Sequence, residues 1–311
     1  VAYAPIVYDR VRGAGSGKSL STATTDPENT LNTPIYGFLS AFGTDGTTWT
    51  RGSAGATTAK PDGYAYYDQL NATYVSWNWK ANGATTVTNT AGTITSQVSV
   101  NLTAGFSIVT YVGNGVNPST IGHGLGVAPK VIISHNLNIG SNWRMYHSSL
   151  PATYDICLNL IDAQVVGQYP TAPTSLVWSV TNGTATNYSG SRQVAYCFSE
   201  VAGYSKFSNY TGNALADGPF VYCGFKPAFL MYKNSIASEA WIIIDNARGP
   251  TNPNVYYLQP QAVAAEGTTP IADFLSNGFK IRIATAAGNA LNGNYIFMAF
   301  AENPFKYSLA N

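Results

Sequence analysis

Gly17-Lys18-Ser19 closes the glycine-rich stretch VRGAGSGKSL at 11–20, and Gly-Lys-Ser is how a phosphate-binding P-loop ends. A true P-loop reads G-x-x-x-x-G-K-[ST] and lies between a buried strand and a helix, because loop N–H groups and the helix N-terminus hold the phosphates. Here Arg12 stands where the first glycine is needed, and Gly13 falls one place late. The sequel, LSTATTDPENTLNTP, is a poor helix. The loop is expected not to bind nucleotide.

The other reactive side chains are few. There are three histidines, His123, His135 and His147. His135 and His147 could approach each other on adjacent strands, but a zinc site needs several converging ligands. Solvated or turn histidines and no metal site are expected. His147 stands beside Ser148 and Ser149, yet strand neighbours point to opposite faces, so only Ser149 shares its side. No G-x-S-x-G elbow occurs. Cys157, Cys197 and Cys223 are odd in number and irregularly spaced, which indicates no disulfide framework. Cys157 and Cys197 read as small buried hydrophobes, and a Cys197–Cys223 bridge stays open. The acids are sparse. Glu200 and Glu302 occupy matching places, as do Asp9 and Asp245, each with an arginine three residues on (Arg12, Arg248). An Asp–Arg pair that orders a loop is the plain reading. Duplicated residues are poor catalytic candidates, so the expectation is no catalytic residue, no cofactor and no enzyme.

Composition narrows the class. Charged residues make up 10% of the chain and the net charge is +1, which leaves no electrostatic footprint for nucleic acid. The longest apolar runs, such as WIII, are too short to cross a bilayer as a helix, so no membrane insertion is expected. With 21 Tyr, 13 Phe and six Trp among Gly, Asn, Thr and Ser, the mixture favours strands and turns. One stretch, GYAYYDQLNATY at 63–74, has no counterpart later in the chain. Its Tyr64, Tyr66, Tyr67 and Tyr74 are candidates to stack on sugars.

The chain repeats itself, which decides the architecture. YVGNG at 111–115 matches YTGNA at 210–214. Pro129 precedes Trp143 by 14 residues and Pro227 precedes Trp241 by 14, a period of 98. QVAYCFSE at 193–200 and YIFMAFAE at 295–302 close the two units. A third copy lies at the front. Asp9, Arg12 and Gly13 fall on Asp245, Arg248 and Gly249; FGTDG at 42–46 falls on FLSNG at 274–278; YVSWNWKANG at 74–83 takes the place of the closing strand, its Val75, Trp77 and Trp79 falling on Val194, Tyr196 and Phe198. The position of Trp241 then falls on Pro5, so the first unit lacks its two opening strands, which a neighbouring chain or domain could supply.

Asn-Gly and Asp-Gly turns separate short apolar runs, which predicts an all-β chain of tandem antiparallel β-sandwich units, the first incomplete. The expected divisions are an incomplete first repeat at 1–82, a Thr-rich linker with an extended strand at 83–102, a second repeat at 103–202 and a third at 203–311. The spacer between the last two is so short that they should pack rigidly. AVAAEG at 262–267 offers one helical turn.

These segments carry a resemblance. AGFSIVTYVGNG, IGHGLGVAPKVII, VAYCFSEVAGYSKFSNYTGN, DGPFVYCGFKPAFLMYK and YIFMAFAENPFKY resemble a repeated β-domain of tail-fibre-like virion proteins of tailed bacteriophages, many of them marine or cyanobacterial. The resemblance is most specific over 103–307. It implies a non-enzymatic protein at the virion surface, a fibre, adhesin or decoration component. The expected partners are copies of itself, with a trimer favoured, and other virion proteins. Two alternatives stand beside this: a carbohydrate-binding module reading a host surface glycan, and a purely architectural assembly protein.

Overall fold

In the computed structural model, which describes residues 4–30, 37–51 and 73–303, nearly every apolar run is a strand. The front contributes β1 (Ile6–Val7), β2 (Leu20–Ser21), β3 (Gly37–Phe42) and β4 (Thr47–Arg51). The Thr-rich stretch forms β5 (Val87–Asn89) and β6 (Ser96–Asn101). Next come β7 (Phe106–Val112), β8 (Ser119–Gly122), β9 (Val131–Asn136), β10 (Arg144–His147), β11 (Tyr154–Cys157), β12 (Val165–Val166), β13 (Val177–Val180) and β14 (Arg192–Phe198). The last part holds β15 (Ser205–Thr211), β16 (Phe220–Tyr222), β17 (Pro227–Asn234), β18 (Ile242–Asp245), β19 (Asn254–Tyr257), β20 (Gly267–Leu275), β21 (Gly278–Ile281), the one-turn helix α1 (Ala286–Asn289) and β22 (Asn294–Ala301). Among the described residues no helix is long and apolar enough to cross a membrane.

The protein is all-β, with antiparallel sheets in sandwich-type layers. The order β10-β9-β14-β7 recurs as β18-β17-β22-β15. Each of these inner sheets faces an outer one, β13-β8 or β16-β21-β20-β19. Strand alternation explains the unbroken apolar runs. On β22, Tyr295, Phe297 and Ala299 point into the sandwich, whereas Ile296, Met298 and Phe300 point the other way, into a second core. On β14, Ala195 and Cys197 fill the sandwich while Val194, Tyr196 and Phe198 join that same second core. A strand buried on both faces reads as a continuous apolar run.

The second core is shared by the whole chain. At its middle sit Trp79, Phe198 and Phe300, three residues in matching positions. Their ring centroids form a triangle with sides of 6.0 Å (Trp79–Phe198), 5.3 Å (Trp79–Phe300) and 6.0 Å (Phe198–Phe300). The seams around this triangle also correspond. Trp143 Nε1 donates to the Ser21 carbonyl at 2.8 Å, and Trp241 Nε1 to the Cys157 carbonyl at 2.9 Å. Ser21 and Cys157 hold the same register, opposite Ile6 and Arg144. The last seam returns to the front, where Thr22 Oγ1 donates to the Pro260 carbonyl at 2.7 Å and the Arg248 guanidinium lies 5.8 Å from the Trp77 ring centroid. The chain closes into a ring with approximate threefold order.

Two expectations need correction. Residues 262–267 form no helix, because the chain there runs out into β20 and pairs, with Gly267 opposite Tyr257. The stretch 74–80 is not a strand. It runs extended, with Val75, Trp77 and Trp79 half-buried and the residues between them exposed, but it joins no ladder. The strands that flank β14 and β22 have no counterpart beside it among the described residues; its end is held instead by a side chain, Asn101 Nδ2 donating to the Lys80 carbonyl at 3.0 Å, and its tryptophans still pack against the core. The hairpin β3–β4 does keep the register of β20–β21, with Phe42 opposite Thr47 as Phe274 is opposite Phe279.

A shared core predicts a single unfolding transition. Phe300→Ala is expected to lower the stability of the entire chain by about 3–5 kcal/mol in urea titration, the usual cost of emptying a buried aromatic site. Separate transitions for the front and back of the chain would contradict the shared core.

Candidate functional site

The loop that imitates a P-loop is held by a buried ion network. Arg12 pairs through Nε with Asp9 Oδ2, and through Nη1 with Glu28 Oε1 at 3.1 Å and the Lys18 carbonyl at 2.7 Å. Tyr196, from the neighbouring unit, donates its hydroxyl to Asp9 at 2.7 Å. Burial opposes the Arg12 charge, but Tyr196, Asp9 and Glu28 together hold its pKa above the ordinary value. Lys18 Nζ lies 3.5 Å from Glu28, and β2 rather than a helix follows Ser19. The constellation recurs at the back. Arg248 binds Asp245 through Nε at 2.7 Å and Glu266 through Nη1 at 2.8 Å. Sequence reasoning found the Asp–Arg pairs and missed Glu28 and Glu266. Their spacings from the arginines differ, so no fixed motif contains them.

All three histidines are buried, not solvated. For His135 and His147 the docking of one unit on the next is the cause. His135 stacks on Trp143 at 4.3 Å with its Nε2 at 3.0 Å from the Asp26 carbonyl. His147 accepts from the Ser149 N–H at its Nδ1 and donates from Nε2 to the Phe297 carbonyl, each at 3.1 Å. His123 does the same locally, with Leu125 N–H and the Thr174 carbonyl. His135 and His147 therefore do not meet. His147 has no free nitrogen to act as base for Ser149. Burial lowers the pKa of both rings, to about 4.

The cysteines are unbridged and buried, so Cys197 and Cys223 form no disulfide. Burial pushes the Cys157 thiol up to about 11 and Cys223 up to about 12, which leaves no reactive thiolate near neutral pH. Among the described residues no group of three or more His, Cys, Asp or Glu side chains could hold a metal ion. Glu200 is committed to Lys206 at 2.9 Å, and Glu302 to Lys226 at 2.9 Å and Asn246 at 2.7 Å. Pro129 and Pro227 are buried at the entries to β9 and β17.

A buried cation has taken the place of His135 in the next seam. Lys233 Nζ donates to four carbonyls: Ile161 at 2.8 Å, Asn234 at 3.1 Å, Ala237 at 3.3 Å and Glu239 at 2.7 Å. Burial lowers its pKa to about 8, against the pull of Glu239 and Asp162. The unit tips are equally constrained. Asn187 Oδ1 accepts from Asn114 N–H at 2.8 Å, and Asn289 Oδ1 from Asn213 N–H at 2.8 Å. A side chain at Gly113 or Gly212 would collide with the carbonyl of Tyr188 or Ala290, so only glycine permits these clasps. The GN pairs in YVGNG and YTGNA were the available signal.

What the described residues present outward is mostly neutral, with threonine and asparagine frequent and apolar side chains among them. Val116 and Leu215 stand exposed beside the two clasps. Of the tyrosines proposed for sugar contact, Tyr74 is exposed, while Tyr64, Tyr66 and Tyr67 lie outside the described residues. Sequence reasoning overlooked Phe220 and Tyr222 on the edge strand β16, which are 45% and 65% exposed.

A family model described as a domain of unknown function, DUF7483, matches residues 2–304. No curated protein and no solved structure matches the chain.

The buried rings set a pH dependence. In the fold His135 and His147 stay neutral down to about pH 4, whereas unfolded histidine takes up a proton near 6.5. Their folded pKa values are depressed, so stability is full above pH 6.5 and falls as pH drops toward 4. The ceiling is about 3 kcal/mol per ring, at 1.36 kcal/mol per pKa unit. Urea midpoints are expected to decline over that window, and His147→Gln should flatten the decline while lowering stability at pH 7. An unchanged slope in that variant would rule out the ring as its source.

Proposed function

The chain belongs to the DUF7483 family, a domain of unknown function, and we propose for it a non-enzymatic role at the surface of a tailed-phage virion, as a fibre, adhesin or decoration component. The observation that carries the non-enzymatic part is the fate of its reactive side chains. His135, His147 and Lys233 bond across seams between units, and Arg12 is locked to Asp9, which Tyr196 of the neighbouring unit binds. What is left outside is a rigid array of neutral tips and sheet edges. Such an array acts by multivalent contact, in which several weak sites give high avidity. The placement on a virion rests on the resemblance of the repeated segments. We propose homo-oligomerisation, with a trimer favoured, and other virion proteins as neighbours. Because the aromatic core is shared within one chain, such contacts use the outer edges.

A second reading, carbohydrate recognition, draws on one observation: Phe220 and Tyr222 are exposed on an open edge strand. The architectural reading instead makes such apolar patches subunit interfaces.

Antibodies against the recombinant chain should decorate purified particles of the encoding phage in electron micrographs, at a repeated place on the virion. Absence of the chain from particles by both labelling and peptide mass spectrometry would end the virion reading. Light scattering of the purified protein should give a mass of three chains, and a monomer across micromolar concentrations would remove the trimer.

A further inference from the structure

We propose that the outer face of the β16–β21 edge, with Phe220 and Tyr222 at its centre, is a binding site for a neutral polysaccharide. The proposal deepens the carbohydrate reading and rests on it. On β16 the pattern is exposed, buried, exposed: Val221 enters the sandwich core and fixes the strand, so Phe220 and Tyr222 share the outer face. Two strand residues apart, their side chains stand about 7 Å from each other. That spacing suits two successive sugar rings, whose apolar C–H faces are removed from water by stacking on aromatic faces.

Tyr222 lies opposite Gly278 on β21. A Cβ at Gly278 would collide with the Val221 carbonyl and stand 3.1 Å from the tip of the Phe220 ring, so only glycine lets the two strands approach here with that ring lying over the gap. Next to the rings, on the same face, lie Lys280 and Arg282. Asp217 pairs with Lys280 at 3.0 Å and with Arg282 at 2.8 Å, and Asp273 pairs with Arg282 at 2.6 Å. Two positive and two negative groups balance. The cluster offers hydrogen-bond donors and acceptors for hydroxyl groups without selecting a charged ligand.

The corresponding strand of the preceding unit shows that this openness is particular to the last one. There, β8 carries Thr120 and Gly122 where β16 carries Phe220 and Tyr222. Its edge is covered by the chain itself: Ile94 bridges Ile121 in parallel, and Thr93 and Thr120 exchange bonds at 2.9 Å and 2.8 Å. The Asn89 side chain occupies the space above Gly122, so that any side chain there would collide with it. Tyr222 therefore excludes the same covering segment in the last unit. Among the described residues nothing pairs with the free edge of β16. Core packing does not require these rings, since Val221 supplies the core contact and both rings project outward.

The test immobilises the whole chain and measures binding of dextran, galactomannan, xyloglucan and the anionic alginate by biolayer interferometry. At least one neutral polymer should bind. Phe220→Ala and Tyr222→Ala should each weaken binding about tenfold, and the double variant should abolish it. Tyr222→Phe, which keeps the ring, should retain most binding, and Tyr188→Ala, an exposed tyrosine elsewhere, should change nothing. Unaltered melting curves would show that the variants fold. Binding of a neutral polymer that is indifferent to the double variant overturns this site and leaves the carbohydrate reading standing. Failure of every polymer, or binding of alginate alone, overturns the site, and failure of every polymer overturns the carbohydrate reading as well. A wild-type chain that dimerises through this edge and ignores the polymers overturns it in favour of strand pairing.

Discussion

Everything in the structure depends on the aromatic triangle of Trp79, Phe198 and Phe300. Three distant parts of one chain must bring a ring to the same point. The inner strands that deliver Phe198 and Phe300 are then buried on both faces, one toward their own sandwich and one toward the triangle. This is why β14, β17 and β22 confine Arg192, Gln193, Lys233, Asn234 and Asn294 to their ends, and why the outer strand β16 can alternate. The hydrophobic driving force is non-directional. Bringing large apolar faces together does not by itself decide their relative rotation.

The polar groups in the seams supply that decision. A buried indole N–H, imidazole or ammonium left without its acceptor carries a desolvation cost of kilocalories, so each one admits few relative placements of two units. Trp143 and Trp241 use the same bond at two seams. His135 and Lys233 solve a shared problem by different chemistry, a neutral ring with one carbonyl and an ammonium with four. At the first seam Arg12 joins Asp9 and Glu28, and the next unit binds both acids, Tyr196 on Asp9 and Arg192 on Glu28 at 3.2 Å. The glycines of the P-loop mimic serve this set by letting the backbone wrap the guanidinium, with Gly13, Gly15 and Gly17 all at positive φ.

Away from the triangle the units have diverged. In the middle unit the Thr-rich stretch covers the outer edges of both β7 and β8, through β6 and through residues 93 and 94. Among the described residues the last unit has no such cover, and there β16 exposes aromatic rings while β15 places Lys206 at its edge, paired with Glu200. An open edge invites pairing with another chain, and charge on the edge is a common defence. The outer surface is thus where the units differ, because nothing buried constrains it.

The amino-acid sequence alone determined the strands, the turns and the repeat. These are local properties: apolar runs, Asn-Gly punctuation and the Asp–Arg pairs three residues apart are read over a few positions. The repeat even aligned Trp79 with Phe198, although the strand expected at 74–80 was not formed. What only the tertiary structure decided was which of those residues meet. His135 and His147 did not read as buried because nothing local shows that another unit will close over them. Glu28 and Glu266 belong to no motif because the loops before them differ in length. Phe220 and Tyr222 lie in an apolar run that shows no exposure locally, and among the described residues the segment that covers β8 has no counterpart on β16. Burial is a sum over distant parts of the chain, and the ring closure that sets it is written in no single stretch of residues.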